Sequence, residues 1–316
     1  MDELRQEVSA KKRAIAALID APLNRLADCC RPVWDDNDAL DRCLHQALES
    51  LPYCNHLYAI APDLKQVSSN VGHGRIDPDK REQDLADRPY LESTLPYRGF
   101  VLSNIYLDRL DHEPCITAVQ AVSADERLLG FVLADFRLRD LPLTTPVTAL
   151  LHRQQQFKGD PAIRGGIFAQ ERAQSFLDEH IQATHAMAQT LMQGHGVFHL
   201  KLHYSSSRVT LWLLNDPWSY RVHGVEEILD PEICLAYPPC SYSQRASVAA
   251  DQIKAVFEQF RALRTLDCNI YLRSGSLNLI NGMVGLTFSC DGSYYIPVDE
   301  FIRRSLGFWL GTSHAG

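Results

Sequence analysis

Hydrophobic positions near the start of the chain recur at helical spacing. Leu4, Val8, Ile15, Leu18, Ile19, Leu23 and Leu26 fall on one stripe, which predicts a long helix over 3–31 with Pro22 as a place to kink. A second helix is expected from Asp38 to Leu51. The stretch HLYAIAPDLKQVSSNV (56–71) reads as strand, turn at Pro62-Asp63, strand. Residues 72–86 are Gly- and Asp-rich and read as loop, and a short helix is expected to begin at Arg88 or Pro89. Three strands follow, over 99–106, 115–123 and 128–137, with turns at Asp108–Pro114 and Asp125–Glu126. Residues 140–166 turn rich in Pro, Thr, Gln and Gly and read as a joint, helical near 150. Beyond it, Leu177, Ile181, Thr184, Ala188 and Leu191 stripe a helix over 168–193. Residues 197–214 alternate as a hairpin with Ser205–Ser207 at its tip, and 247–266 is an amphipathic helix. Asn281-Gly282 and Asp291-Gly292 separate apolar runs and mark type I′ hairpins in a three-stranded meander. A short helix over 298–309 closes the chain.

The two halves thus show the same order: helix, strand, strand, helix, then three strands. The expected fold class is α+β, two PAS-like modules, each an antiparallel sheet of about five strands with flanking helices, the first led by the long N-terminal helix. The expected boundaries are 1–145 and 165–316, and a PAS-like or roadblock-like module would fit the second half.

Composition narrows the function. The chain of 316 residues has a formal net charge of -8, which gives no electrostatic footprint for a phosphate backbone, so no nucleic-acid partner is expected. No apolar run of membrane-spanning length occurs, and the first 20 residues lack the apolar core of a secretory signal, so no membrane is expected. Nine cysteines, at 29, 30, 43, 54, 115, 234, 240, 268 and 290, form no C-x-x-C pair. An odd set of scattered thiols fits a reducing compartment and predicts a cytoplasmic protein. Cys29 and Cys30 are adjacent on a helix, so their side chains diverge; the expectation is that they serve as small buried hydrophobes.

The stretch from 84 to 137 carries the sharpest motif series. It runs Asp84, then RPY at 88–90, SNIY at 103–106, EPCITAVQAV at 113–122 and LLGFVLADFRL at 128–138. In order and spacing this resembles the core of Cache domains, PAS-like sensory modules of bacterial receptors, and the resemblance covers about residues 1–145. It implies a small-ligand pocket lined by Arg88, Tyr90, Ser103, Tyr106 and Asp135. A guanidinium for a ligand carboxylate and a carboxylate for a ligand ammonium would recognise a small polar or carboxylate-bearing molecule. Aromatic walls add contact area and can face a cation. The chain departs from the family's amino-acid binders at Tyr90-Leu91, where they carry an aromatic pair, and at Gln83, where they carry Tyr. The bland alternative is that Asp87-Arg88 is an ion pair at a helix start and Asp135 caps a turn. Cache-like modules also dimerise through the leading helix, which here carries Ala14, Ala16, Ala17 and Ala21 beside its stripe. The same helix can equally lie flat on its own sheet.

Other chemistry is sparse. His195, His199 and His203 recur every four residues, but the alternation of Phe198, Leu200, Leu202 and Tyr204 is that of a strand, on which such histidines stand about 13 Å apart. No metal and no cofactor are therefore expected. SSSR (205–208) and RSGS (273–276) read as anion-binding nests or as plain hairpin tips. Loops NDPWSY (215–220) and YPPCSYS (237–243) can cover a pocket or an interface. No nucleophile motif or metalloprotease motif occurs, and no catalytic residues are assigned. The expected function is a soluble small-ligand-binding sensory protein that signals through an interface to an unknown protein partner, with no attached output domain. The alternatives are an enzyme or enzyme regulator with its site in the C-terminal half, and a scaffold subunit.

Overall fold

In the computed structural model the described residues are 2–91, 99–109, 112–125, 127–141 and 172–309. The chain separates into two compact units, Met1–Thr145 with Cys234–Ala236, and Pro146–Ile233 with Tyr237–Gly316. Both are α+β, each with one antiparallel sheet and flanking helices.

The first unit opens with helix α1 (Asp2–Cys30), which runs through Pro22. Proline removes a hydrogen bond to the carbonyl four residues back, that of Leu18, whose side chain is exposed, so water can replace the donor. Helix α2 (Asn37–Leu48) starts where the Asp36 carboxylate accepts from the backbone N–H groups of Asp38 and Ala39, at 3.1 and 3.0 Å. The sheet comprises β1 (His56–Ile60), β2 (Asn70–Gly72), β3 (Arg75–Asp77), β4 (Phe100–Leu102), β5 (Tyr106–Leu107), β6 (Pro114–Ala124) and β7 (Arg127–Arg137). Its order is β3-β2-β1-β7-β6-β4, with β5 also on β6. The expected second strand within 56–71 is confined to its end, and β2–β3 is an added hairpin. Arg88–Leu91 forms a turn, closed by Leu91 N–H to the Arg88 carbonyl at 3.0 Å; the rest of the helix expected there lies outside the described residues, as do the helix near 150 and the 140–166 joint from 142 onward.

Alternation fixes two faces on this sheet. The register pairs Tyr58 with Leu133 and Thr117 with Asp135. His56, Tyr58 and Ile60 therefore share one face with Thr117, Val119, Ala121, Phe131, Leu133 and Asp135. The opposite face carries Ile116, Ala118, Val132, Ala134 and Phe136, all fully buried. Gly130 belongs to that second face. A Cβ there would collide with the Trp34 ring, which follows α1, and with the Ile60 carbonyl, so the helical layer lies on this side. Helix α1 packs on β6 and β4, and α2 on β1 and β2. With both faces covered, β6 is buried continuously from Pro114 to Val122.

In the second unit β8 (Val197–His203), β9 (Arg208–Leu213), β10 (Tyr220–Gly224), β11 (Leu272–Asn278), β12 (Met283–Phe288) and β13 (Ser293–Pro297) form a sheet of order β10-β9-β8-β11-β12-β13. The helices are α3 (Phe176–Glu179), α4 (Ile181–Gly194), α5 (Val225–Leu229), α6 (Ile233–Ala236), α7 (Gln252–Arg264), α8 (Val298–Arg303) and α9 (Leu306–Trp309), with Cys234–Ala236 of α6 grouping with the first unit. Helix α7 packs on β11, where Gly275 leaves room for the Phe260 ring 3.1 Å from the site of a Cβ. The two Gly-containing turns differ from the type I′ expectation. Each loop has four residues, 279–282 and 289–292, and the left-handed residues are Gly282 alone in the first and Asp291 alone in the second. Type I′ needs two such residues in a two-residue loop.

Candidate functional site

The face of the first sheet away from the helices carries an apolar floor. Ile60, Val119, Phe131 and Leu133 are buried there together with Leu85, Tyr90 and Leu91 from the 84–91 segment. That segment is tied to the β1–β2 connection by Leu85 N–H to the Leu64 carbonyl, 3.1 Å, and turned at Arg88 N–H to the Leu85 carbonyl, 2.9 Å. Arg109, just past β5, grips Asp87 twice: Nη1 to the carboxylate at 2.8 Å and Nη2 to the carbonyl at 2.7 Å. Asp87 thus pairs with Arg109, not with Arg88, which removes the helix-start ion pair.

Asp135 stands at the head of this floor. It lies within β7, between His56 of β1 and Thr117 of β6, so it caps no turn. Thr117 Oγ1 donates to Asp135 Oδ1 at 2.7 Å and lies 2.8 Å from the Tyr106 hydroxyl. Tyr58 Oη lies 2.8 Å from Tyr90 Oη and 3.4 Å from the same Oδ1. Thr117 and Tyr58 therefore converge on one carboxylate oxygen, Thr117 backed by Tyr106, and the single Tyr58 hydrogen is shared between Asp135 and the nearer Tyr90 hydroxyl. The Tyr90 and Tyr106 rings meet at 5.0 Å between centroids. Among the described residues Oδ2 accepts no hydrogen bond, and Asp135 stays half-buried.

The electrostatics follow from burial. Removal from water pushes the Asp135 carboxyl up to about 7, against the downward pull of its Thr117 and Tyr58 bonds and the more distant Arg88 charge. Burial likewise raises Tyr58, Tyr90 and Tyr106, with the Asp135 charge adding to each, so all three remain phenols. Arg88 is half-buried, its Nε is buried without a hydrogen-bond partner, and its guanidinium forms no ion pair with another described residue. An acid able to ionise near neutrality and an uncommitted guanidinium can receive opposite ends of one small polar molecule.

Of the residues expected from the sequence, Tyr90, Tyr106 and Asp135 come together in this network and Arg88 acts electrostatically on it. Ser103 does not join: it is buried, its Oγ donates to the Asn104 carbonyl at 2.7 Å and accepts from the Thr117 N–H at 2.9 Å. Tyr58, Thr117 and Arg109 were missed. In the second unit His199 and His203 lie on β8, His199 edge-on to Trp212 and 3.2 Å from the Asn278 amide. Trp212 in turn stacks on Tyr220, the first residue of β10, so Tyr220 of NDPWSY enters the sheet while Trp218 stays exposed.

Among the described residues no helix is long and apolar enough to cross a membrane. No family model matches the chain, and no curated protein matches it. Solved structures similar to it include the ligand-binding domain of the Campylobacter jejuni chemoreceptor Tlp3 in complex with L-valine, with 16% identity and TM-score 0.37 over 46% of this chain and 62% of that one. The ligand-binding domain of the Pseudomonas fluorescens chemoreceptor CtaA in complex with L-serine matches at 16% identity and TM-score 0.32, over 42% of this chain and 55% of that one. The ligand-binding domain of the Pseudomonas aeruginosa PAO1 amino-acid chemoreceptor PctC, in complex with GABA, matches at 14% and 0.30, over 43% and 59%. The chain spans less than two thirds of each of these domains, and none of the three reaches a TM-score of 0.5.

Proposed function

We propose that the first unit is a sensory module that binds a small polar molecule between Arg88 and Asp135. One observation carries the reading. A carboxylate bonded by Thr117 and Tyr58, with Tyr106 and Tyr90 behind them, keeps an oxygen without a described donor, and the Arg88 guanidinium that acts on it has no described acceptor. Desolvating both charges without joining them costs stability, and a zwitterionic or carboxylate-bearing ligand would supply both partners. The output is a changed protein–protein interface. A homodimer through α1 would use its outward side, where Ala14, Ala17, Leu18 and Ala21 are exposed at spacings of three and four. All nine cysteines are free thiols, which supports a reducing, cytoplasmic setting.

The test is calorimetric titration with amino acids, amines and small carboxylates on wild type, Arg88→Ala and Asp135→Asn. At least one ligand should bind the wild type. Arg88→Ala should weaken a carboxylate ligand by about 1.5–3 kcal/mol, the usual worth of a hydrogen bond to a charged group. Unchanged affinity in both variants would place the ligand elsewhere.

A further inference from the structure

We propose that Cys30 and Cys43 form a redox modification site, closed by a disulfide that joins α1 to α2. The two sulfurs belong to packed helices and lie 3.7 Å apart, Cys30 donating to Cys43. A disulfide needs about 2.05 Å, so closure asks for a shift of roughly 1.7 Å shared between two side chains, Cys30 at the end of α1 and Cys43 in the middle of α2. Cys29, exposed at the preceding position of α1, acts electrostatically on both thiols. Cys30 is fully buried and Cys43 half-buried, so the pair has one side open to a small oxidant. Other thiols are differently engaged: Cys54 bonds the His56 carbonyl and Cys240 the Pro238 carbonyl. Cys30 is buried as expected, whereas Cys29 is exposed.

The oxidant is a peroxide. The Cys43 thiolate attacks one peroxide oxygen, the O–O bond breaks, and Cys43 becomes a sulfenic acid as hydroxide leaves. Cys30 sulfur then attacks Cys43 sulfur, the S–O bond breaks and a second hydroxide leaves. The two thiol protons convert both hydroxides to water, so one peroxide is reduced by two electrons and one disulfide is formed. Burial pushes both thiols upward and keeps thiolate scarce, so the site answers sustained oxidant rather than traces. A dithiol reductant reverses it by exchange. The bond pins the end of α1 to the helix that packs on β1, the strand that carries Tyr58.

The whole chain, reduced and freed of reductant, is exposed to a few equivalents of hydrogen peroxide, alkylated under denaturing conditions and mapped by mass spectrometry. The expected product is a cross-linked peptide pair holding Cys30 and Cys43, lighter than its parts by about 2 Da and restored by dithiothreitol. Cys43→Ser and Cys30→Ser should each lose the link and Cys29→Ser should leave it, and any substitute Cys29–Cys43 link in Cys30→Ser should form at least tenfold less. Circular dichroism of each variant establishes that it is folded. Oxidation confined to the exposed Cys29, Cys268 and Cys290 with no link would overturn the proposal, as would a full-yield Cys29–Cys43 link in Cys30→Ser.

Discussion

Replacing Asp135 by Asn should stabilise the first unit, and by an amount that grows with pH. The folded carboxyl ionises at about 7 instead of 3.8. Between those values the unfolded chain has released its proton while the folded chain still holds it, so the wild type loses stability as pH rises through that window. Three units correspond to a ceiling of about 4 kcal/mol. Residual water at the half-buried carboxylate lowers this to about 1–3 kcal/mol. Asn keeps an acceptor for Thr117 and Tyr58 but carries no titrating proton. The gap between variant and wild type should therefore be small at pH 4.5 and widest at pH 8.5. Hydrogen exchange of the β6–β7 hairpin reads this unit alone. A gap that is constant with pH, or a variant that opens more easily at pH 8.5, would show that Asp135 is not held against its ionisation. Such a cost is expected where a charge is kept for a ligand.

Three further outcomes follow from other parts of the molecule. Arg264 is buried, bonds Asp178 through Nε and Nη2 at 2.7 Å each, and lies over the Tyr271 ring; Arg264→Ala should cost about 3–5 kcal/mol in chemical denaturation, and a loss under 1 kcal/mol would contradict the buried pair. Burial lowers His185 to about 3 and His199 to about 4, so from pH 6.5 downward the unfolded chain binds protons first; the second unit should lose stability as pH falls from 6.5 toward 4, and His185→Gln should flatten the fall in thermal midpoint. Ile15 is 3% exposed and Leu18 42%, so Ile15→Glu should unfold the first unit by circular dichroism while Leu18→Glu leaves it folded, and a dimer through α1 should dissociate in Leu18→Glu by light scattering.

Strong periodicity made most elements legible. The stripe of α1, except Leu18, which is exposed, and the 197–214 hairpin follow from spacing because each buries one clear face; the final meander is marked by its Gly-containing turns, although β13 is mostly exposed. The site was half legible. Its motif residues Arg88, Tyr90, Tyr106 and Asp135 stand out as types, but their partners depend on register. Counting back from the 125–126 turn without a bulge places Ile116 opposite Asp135. An irregularity between Val122 and Ser123 shifts the pairing by one, and Thr117 takes that place with its hydroxyl on the site face. A continuous apolar run such as Cys115–Val119 hides this, since both faces are covered. Tyr58 was hidden likewise in HLYAI, where only the pairing with Leu133 assigns it a face. The Cys30–Cys43 contact needs the packing of α1 on α2, which no local pattern encodes.

The central claim is that Arg88 and Asp135 receive one ligand between them. A crystal structure of the protein with the tightest ligand from the titration tests it most directly. The account predicts ligand density bridging the Arg88 guanidinium and Asp135 Oδ2, with Tyr58, Tyr90 and Tyr106 around it. A ligand bound elsewhere, with Arg88 paired to a protein carboxylate and Asp135 Oδ2 bonded within the protein, would contradict it.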